Sequence, residues 1–364
     1  MKILYLITGL GGGGAEKVLI ELAEKMISRG YSVKIAYLKG DVVIYPKSTD
    51  IELVYLGLEG FTSVFFAYKK YKELLHSYSP DIIHSHMIHS NIFARISRLF
   101  FQVPKLICSA HSSNEGGYIR MLSYKLTHNL ADITTNVSEN ASSKFVNIGA
   151  VPLGGIETVY NGIDLKKFHN TNIDLDLKSK FGILDSSPIF LAVGRFHDAK
   201  DYPNLLKAFA KFKETEVYQQ KLPKLVIAGD GELRSEIESL INILGLRSEV
   251  ILLGRRNDIP ALLNISDFFV LSSKYEGLPT VVMEAMACET YVIATDCGGS
   301  AEIMGDTGLL VAPQNSVQLA IGLEKSLNLS ENDIQKNNYN ARLRIEQLFS
   351  LETSVKKWLE IYEK

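Results

Sequence analysis

Short apolar runs that alternate with amphipathic helical stretches, in two series with a polar pause between them, constrain this chain more than any other feature. In the first series, residues 3–7 are an apolar run of strand length. Residues 15–28 carry a helical pattern that Arg29-Gly30 ends, and 32–38 form the next strand. Further strands are expected at 82–84, 105–110, 133–137 and 157–160. Residues 161–187 then turn polar, rich in Asp, Asn and Lys, with Gly162 and Gly182 as breakers. A second series starts at 189–193 and continues at 224–228, 250–253, 268–271, 291–294 and 308–311. Strands this short and this uniformly apolar are buried on both faces, which calls for a mostly parallel sheet with helices on either side. At 364 residues the chain suits two such domains better than one. We therefore expect an α/β protein of two doubly wound halves, 1–165 and 188–345. A connection over 166–187 would join them, and an amphipathic helix within 346–364 would carry Trp358, the only tryptophan.

Composition excludes several classes. Hydrophobic residues make up 46% and charged residues 22%, so each half can bury a core. The net charge of -2 gives no argument for nucleic acid. The cysteines, Cys108, Cys288 and Cys297, are odd in number and form no C-x-x-C, which fits a reducing cytosol and neither a disulfide framework nor a zinc site. The run 3–7 is too short for a signal peptide, and glycines follow where a cleavage site would lie. No stretch approaches the roughly 20 apolar residues that span a bilayer. A cytoplasmic protein is expected, at most attached peripherally to the inner face of the cell membrane.

Gly9-Leu10-Gly11-Gly12-Gly13-Gly14 lies between the first strand and the first helix and formally matches G-x-G-x-x-G. Such glycines let backbone approach a ligand, and a helix N-terminus offers N–H groups to an anion. A dinucleotide would also want an acid at the end of the second strand. The nearest, Asp41, lies beyond Lys39-Gly40, so the fit to NAD is loose, and a plain tight turn is the competing reading.

The second half carries more. Strand 189–193 runs into Gly194-Arg195-Phe196-His197-Asp198-Ala199-Lys200-Asp201. Arg195 offers a forked contact to phosphate oxygens and Lys200 a point charge, both beyond the carboxyl end of a strand. Strand 268–271 runs into Ser272-Ser273-Lys274-Tyr275-Glu276-Gly277-Leu278-Pro279-Thr280, and a helix follows over 281–288 with Glu284 inside it. The N–H groups near Gly277 and Leu278 form an anion cradle, yet Glu276 and Glu284 flank it. A carboxylate beside such a cradle suits neutral hydroxyls, as in a ribose or a sugar. After strand 291–294 comes Gly298-Gly299, with Ser300 placed to cap a helix.

These residues together resemble glycosyltransferase family 4, retaining enzymes of the GT-B fold, over nearly the whole chain. The elements occur in the family's order: Gly11–Gly14 with Ala15-Glu16, Asn161-Gly162-Ile163-Asp164, Gly194-Arg195 with Lys200, Gly229-Asp230-Gly231, Glu276-Gly277-Leu278-Pro279 through Glu284, and Gly298-Gly299 with Glu302. The resemblance implies two Rossmann-like domains facing across a cleft, with a C-terminal helix that crosses back to the first. It implies that Arg195 and Lys200 bind the donor diphosphate beside Gly194 and Gly229, and that Glu284 bonds the ribose hydroxyls. Glu276 would contact the transferred sugar, and the backbone at Gly277, Leu278, Pro279 and Thr280 would touch phosphate or sugar. The backbone around Arg255 and Arg256 would frame the base, and Gly13 and Gly14 would approach the phosphates from the first domain. His111, after a first-domain strand, matches the family's active-site histidine. The catalytic set is then His111, Glu276, Arg195 and Lys200. A nucleotide-sugar donor, UDP-linked by the family's habit, is expected with no metal or other cofactor, because the basic pair takes up the leaving group's charge.

The acceptor side is expected in the first domain. From Phe61 to Leu130 eight cations (Lys69, Lys70, Lys72, Arg95, Arg98, Lys105, Arg120 and Lys125) face three acids, interleaved with aromatics. That pattern suits an anionic membrane surface and a glycan or polyprenyl-diphosphate-linked acceptor of surface-polysaccharide synthesis. Core aromatics with a solvated lysine face would give the same pattern. His84, His86 and His89 are read as active-site lining or structure rather than a zinc site. Three rivals share part of the pattern: a nucleotide-sugar epimerase of the same fold, a pyridoxal-phosphate phosphorylase, and a non-catalytic nucleotide-sugar-binding protein.

Overall fold

The computed structural model describes residues 1–113, 115–171, 175–184 and 186–364, and the chain divides into two compact units. The first comprises Met1–Gly162 and Leu351–Lys364; the second is Ile163–Ser350. Part of the connection expected over 166–187, namely 172–174 and 185, lies outside the described residues; the rest belongs to the second unit.

In chain order the first unit holds β1 (Lys2–Ile7), α1 (Gly14–Ser28), β2 (Ser32–Tyr37), β3 (Glu52–Tyr55), α2 (Val64–Tyr78), β4 (Ile82–His86), α3 (Ile88–Ser97), β5 (Lys105–Ser109), α4 (Tyr118–Thr127), β6 (Ile133–Asn136), α5 (Glu139–Asn147) and β7 (Glu157–Thr158). Its seven strands are all parallel, in the order β3-β2-β1-β4-β5-β6-β7. β1 is buried at every residue but Lys2, because helices cover both of its faces. Ile3, Tyr5 and Ile7 pack against α1, while Leu4 and Leu6 pack against α2 and α3. β3 escapes the apolar-run pattern because it is a short edge strand, buried from one side only.

The second unit holds α6 (Leu175–Lys180), β8 (Ile189–Val193), α7 (Tyr202–Phe212), α8 (Glu216–Lys221), β9 (Lys224–Ala228), α9 (Arg234–Ile243), β10 (Val250–Gly254), α10 (Ile259–Asn264), β11 (Phe268–Leu271), α11 (Thr280–Ala287), β12 (Tyr291–Thr295), α12 (Ser300–Met304), β13 (Leu309–Val311), α13 (Ser316–Leu327) and α14 (Glu331–Leu348). Its six parallel strands run β10-β9-β8-β11-β12-β13. The fully buried Phe190, Phe209 and Phe212 meet edge to face in its core. Ser300 is not the cap expected of it: Gly299 holds the cap position, and Ser300 is the first residue of α12, its hydroxyl donating to the Cys297 carbonyl at 2.8 Å.

The last helix, α15 (Leu351–Glu363), returns to the first unit. Val355, Trp358, Ile361 and Tyr362 complete the core that α1 shares with β1, β4 and β5. Lys105 Nζ donates to the carbonyls of Ile361 and Tyr362 at 2.8 and 3.0 Å, which neutralises the exposed acceptors at the helix's end.

Candidate active site

The order of the strands reverses in the middle of the second sheet. β8 leads to β9 on one side, whereas its neighbour β11 leads to β12 on the other. The loops leaving their carboxyl ends diverge and open a crevice, the usual ligand position in such sheets. Residues 194–201 and 272–279 are these two loops.

Lys200 and Glu276 meet there, one from each loop. Lys200 Nζ donates to Glu276 Oε1 at 2.6 Å, and the two side chains keep only 21% and 16% of their surface exposed. Ser273 Oγ donates to the same carboxylate oxygen at 2.6 Å. The loops are laced together around the pair. Ser272 Oγ donates to the Lys200 carbonyl at 2.8 Å, and the Lys274 N–H donates to the Ala199 carbonyl at 2.8 Å. Lys274 Nζ and the Tyr275 hydroxyl both donate to Asp198, at 2.6 and 2.9 Å, which holds that carboxyl below its usual range.

The glycines serve this packing. A Cβ on Gly229 would sit 1.8 Å from the Gly194 carbonyl oxygen, so the loop after β9 fits under the loop after β8 only without a side chain. Gly298, at φ +57°, has its Cβ direction 2.3 Å from the Glu276 carbonyl oxygen and clamps the other loop. Gly194 itself is crowded by Lys200 and by the Tyr202 hydroxyl, which donates to its carbonyl at 3.0 Å.

The remaining expected residues are placed as follows. Arg195 does not join Lys200: its side chain is 70% exposed and pairs with Glu232 at 3.0 Å. Gly277 is half-buried, Leu278 and Pro279 are buried, and α11 begins at Thr280 with no side-chain cap on its first turn. The N–H groups there point back along the helix axis towards the Glu276 loop. Glu284 is half-buried one turn further along. Arg255 is exposed at the end of β10, while Arg256 is tied to Asp258 at 2.8 Å.

In the first unit, Gly13 and Gly14 are exposed at the start of α1. A Cβ on Gly13 would lie 2.5 Å from Glu16 Oε2, because Glu16 folds back over the helix start and accepts from the N–H groups of Gly13 and of Glu16 itself. Burial nevertheless raises the Glu16 carboxyl. Gly14 faces open space. β2 is followed by Leu38 and Lys39, and Asp41 stands on an exposed loop, which leaves no acid at the strand end for a dinucleotide ribose.

His111 lies two residues beyond β5, half-buried, its N–H donating to Glu115 Oε1 at 3.0 Å. Its Nε2 is 2.9 Å from His86 Nδ1, and burial pushes its imidazole down to about 4. His84 and His86 are buried on β4, whereas His89 is exposed on α3. Among the described residues no group of three or more His, Cys, Asp or Glu is arranged to hold a metal. One D-x-D spacing does occur in the chain, Asp174-Leu175-Asp176, and its first residue lies outside the described ones.

Of the eight cations between Phe61 and Leu130, Lys69, Lys72, Arg120 and Lys125 are exposed, whereas Arg95, Arg98 and Lys105 are engaged within the fold. Arg95 is fully buried, with Nη2 donating to Thr134 Oγ1 at 2.7 Å and its guanidinium over the Tyr124 ring. Arg98 is engaged with Asp132 and the Pro104 carbonyl, and Lys105 with the end of α15. A periodicity argument cannot separate an inward arginine from an outward one. Nor could Ser273 or Asp198 be singled out from sequence, since each is an ordinary loop residue until its partner is in place.

Both halves of the chain match known families. Residues 12–167 match Glycosyltransferase Family 4, and residues 175–344 match Glycosyl transferases group 1. The chain is 28% identical over 344 residues to the N-acetylgalactosamine-N,N'-diacetylbacillosaminyl-diphospho-undecaprenol 4-alpha-N-acetylgalactosaminyltransferase of Campylobacter jejuni, covering 90% of each chain. It is 29% identical to the UDP-Gal:alpha-D-GlcNAc-diphosphoundecaprenol alpha-1,3-galactosyltransferase of Escherichia coli, over 63% of this chain and 61% of that one. The crystal structure of Anabaena HepE in complex with UDP superposes with a TM-score of 0.85 at 22% identity, covering the whole of both chains. The fold is thus of the GT-B class, and the chain belongs to the glycosyltransferases, with a family 4 domain followed by a group 1 domain.

Proposed function

We propose that this glycosyltransferase moves a sugar from a UDP-sugar to a polyprenyl-diphosphate-linked glycan, with retention of anomeric configuration, in the assembly of a bacterial surface polysaccharide. The observation that carries the reading is the Lys200–Glu276 pair at the crevice of the second sheet. It sets a cation for a diphosphate beside a carboxylate for sugar hydroxyls, next to an uncapped helix start. The two relatives named above act, by their names, on undecaprenol-diphosphate-linked substrates, and one uses UDP-Gal.

The step assigned to these groups is direct. The bond from the sugar's C1 to the diphosphate oxygen breaks, leaving positive charge at C1 and negative charge on the diphosphate. Lys200, Arg195 and the first-turn N–H groups of α11 stabilise that negative charge, the part of the barrier that fixed dipoles and cations lower most. An acceptor hydroxyl attacks C1 from the face the diphosphate leaves, and its proton passes to the departing diphosphate oxygen. Glu276 bonds hydroxyls of the transferred sugar, Glu284 bonds the ribose, and the backbone beside Gly194, Gly229, Gly277, Leu278, Pro279, Thr280 and Arg255 lines phosphates, sugar and base. In the first unit Gly13 and Gly14 are assigned to the phosphates and His111 to the sugar. Because protein cations carry the charge, transfer should survive EDTA.

Peripheral membrane attachment is part of the same reading. Phe61, Phe65, Tyr118, Ile119 and Leu126 are each at least 75% exposed. The exposed Lys69, Lys72, Arg120 and Lys125 lie among them. Apolar side chains interleaved with lysines favour an anionic bilayer surface, and no helix among the described residues is long and apolar enough to cross one.

The test combines ligand-induced thermal shifts with a transfer assay. UDP, GDP, ADP and NAD are compared on the wild type and on Lys200→Ala, then transfer is measured with a UDP-sugar panel and a polyprenyl-diphosphate glycan. A UDP shift lost in the variant, followed by α-linked product from an α-linked donor, supports the proposal. A shift with NAD alone, or conversion of the UDP-sugar with no acceptor present, overturns it. Sedimentation with anionic but not neutral vesicles, weakened in Phe65→Ser/Ile119→Ser, is the expected membrane result.

A further inference from the structure

β4 carries two histidines on one face, His84 and His86, their rings 4.0 Å apart and both fully buried. They are not equivalent. His84 is bonded at both nitrogens, Nδ1 to the Tyr362 hydroxyl and Nε2 to Ser109 Oγ, each at 2.7 Å. Trp358 of α15 packs on its ring at 4.3 Å. Tyr5 and Thr135 extend this network on either side. His84 is thereby fixed as structure. The His86 imidazole has one hydrogen-bond partner among the described residues, the Nε2 of His111, and its own Nε2 is buried without any.

The contact between His86 Nδ1 and His111 Nε2 holds a single hydrogen, and only two neutral arrangements supply it. If His111 donates, His86 must carry its proton on Nε2, as a buried N–H with no acceptor. If His86 donates from Nδ1, its Nε2 is a bare lone pair. Orphaned buried N–H groups are rarer and costlier than under-used acceptors. The second arrangement therefore prevails. It leaves His111 accepting at Nε2, so that His111 must carry its proton on Nδ1, at the ring edge not turned to His86. Burial keeps both rings neutral, which preserves the donor–acceptor match.

We propose that His86 is a positioning residue for transfer: its Nδ1–H fixes the tautomer and the ring orientation of His111, so that His111 presents a neutral Nδ1–H donor to an oxygen of the transferred sugar. This rests on the assignment of His111 to the sugar made above. The 10- to 100-fold scale of such effects is known for outer partners of metal-bound imidazoles, and about the same is expected here.

The experiment pairs kinetics with imidazole nitrogen NMR, which separates the two tautomers in the free protein. In the wild type, His111 should show a protonated Nδ1 and a bare Nε2. His86→Asn keeps an N–H donor close to the position of Nδ1 and should retain both that signature and most of kcat. His86→Leu should mix the tautomers and lower kcat by about 10- to 100-fold, with the donor KM and the UDP Kd unchanged. Three results overturn the proposal: a wild-type His111 protonated on Nε2, a His86→Leu protein with unchanged kcat, or equal losses in His86→Asn and His86→Leu. A His111→Ala protein with full transfer activity would instead remove the premise about His111, and the tautomer measurement, which needs no turnover, tells these failures apart.

Discussion

Replacing Glu276 with Gln should push nucleotide binding and sugar transfer in opposite directions. Glu276 Oε1 accepts from Lys200 Nζ and from Ser273 Oγ, both at 2.6 Å. A hydrogen bond to a charged partner is worth about 1.5–3 kcal/mol when sheltered, and solvent screening reduces this pair to about 1 kcal/mol. A free nucleoside diphosphate must compete with that carboxylate for Lys200. The amide of Gln still accepts a hydrogen bond but carries no charge, so UDP should bind more tightly by about 1 kcal/mol, roughly fivefold. Transfer should fall, because the carboxylate that holds the sugar hydroxyls is gone. A loss of about 100-fold in kcat/KM corresponds to roughly 2.7 kcal/mol of transition-state stabilisation. Titration calorimetry with UDP reads the first effect and a transfer assay the second. Lys200→Ala serves as the control, since it should weaken both. An Glu276→Gln protein that is folded but binds UDP no better than the wild type would refute the idea that this pair guards the anion site.

Arg195→Ala should leave stability within about 0.5 kcal/mol by urea unfolding, because the Arg195–Glu232 pair is solvent-exposed, yet it should lower kcat/KM if the guanidinium swings to the diphosphate. Gly229→Ala forces a methyl to within 1.8 Å of a neighbouring carbonyl oxygen, and should cost about 1–3 kcal/mol of stability while weakening UDP binding through the displaced loop at Gly194, read by thermal unfolding with and without UDP. Acid should destabilise the first unit early. His84, His86 and His111 are all held below the usual histidine range by burial, so below about pH 6.5 the unfolded chain takes up protons that the native one refuses. Stability is complete above that pH and falls beneath it by up to about 1.4 kcal/mol per pH unit for each histidine; urea midpoints between pH 7.0 and 5.5 measure the slope, and His86→Asn should reduce it by one proton.

What could be read from the sequence divides along physical lines. Strands buried on both faces announce themselves, and β1, β8 and β11 coincide with apolar runs that need no partner to be recognised. β3, at a sheet edge, does not. Loop residues at strand ends, Lys200 and Glu276 among them, were legible as charges at the right edge of a sheet. Their direct contact was not, because it depends on which two strands lie side by side at the crevice. Gly229 was legible as a glycine near a site, but its close fit against the Gly194 carbonyl depends on strand neighbours that sequence does not show. The charge count over 61–130 misled in part: a guanidinium such as that of Arg95 can be buried against a ring and hydroxyls, and nothing in the local pattern says so.

The histidines show why the C-terminal helix belongs in any account of His111. Sequence places Tyr362 some 250 residues away from the loop it influences, on a tail that periodicity describes only as amphipathic. In the folded first unit its hydroxyl occupies His84 Nδ1, and Ser109 occupies the other nitrogen. With both nitrogens taken, His84 cannot turn to supply the missing partner of His86, although the two rings touch. The His86 imidazole is thereby left with His111 as its one hydrogen-bond partner among the described residues. Tyr362→Phe frees His84 Nδ1 while keeping the packing of the ring. If the helix acts as argued, that change should loosen the His111 tautomer in the nitrogen spectrum while leaving UDP affinity untouched; a loss of UDP affinity alone would mean that α15 acts through something other than these histidines.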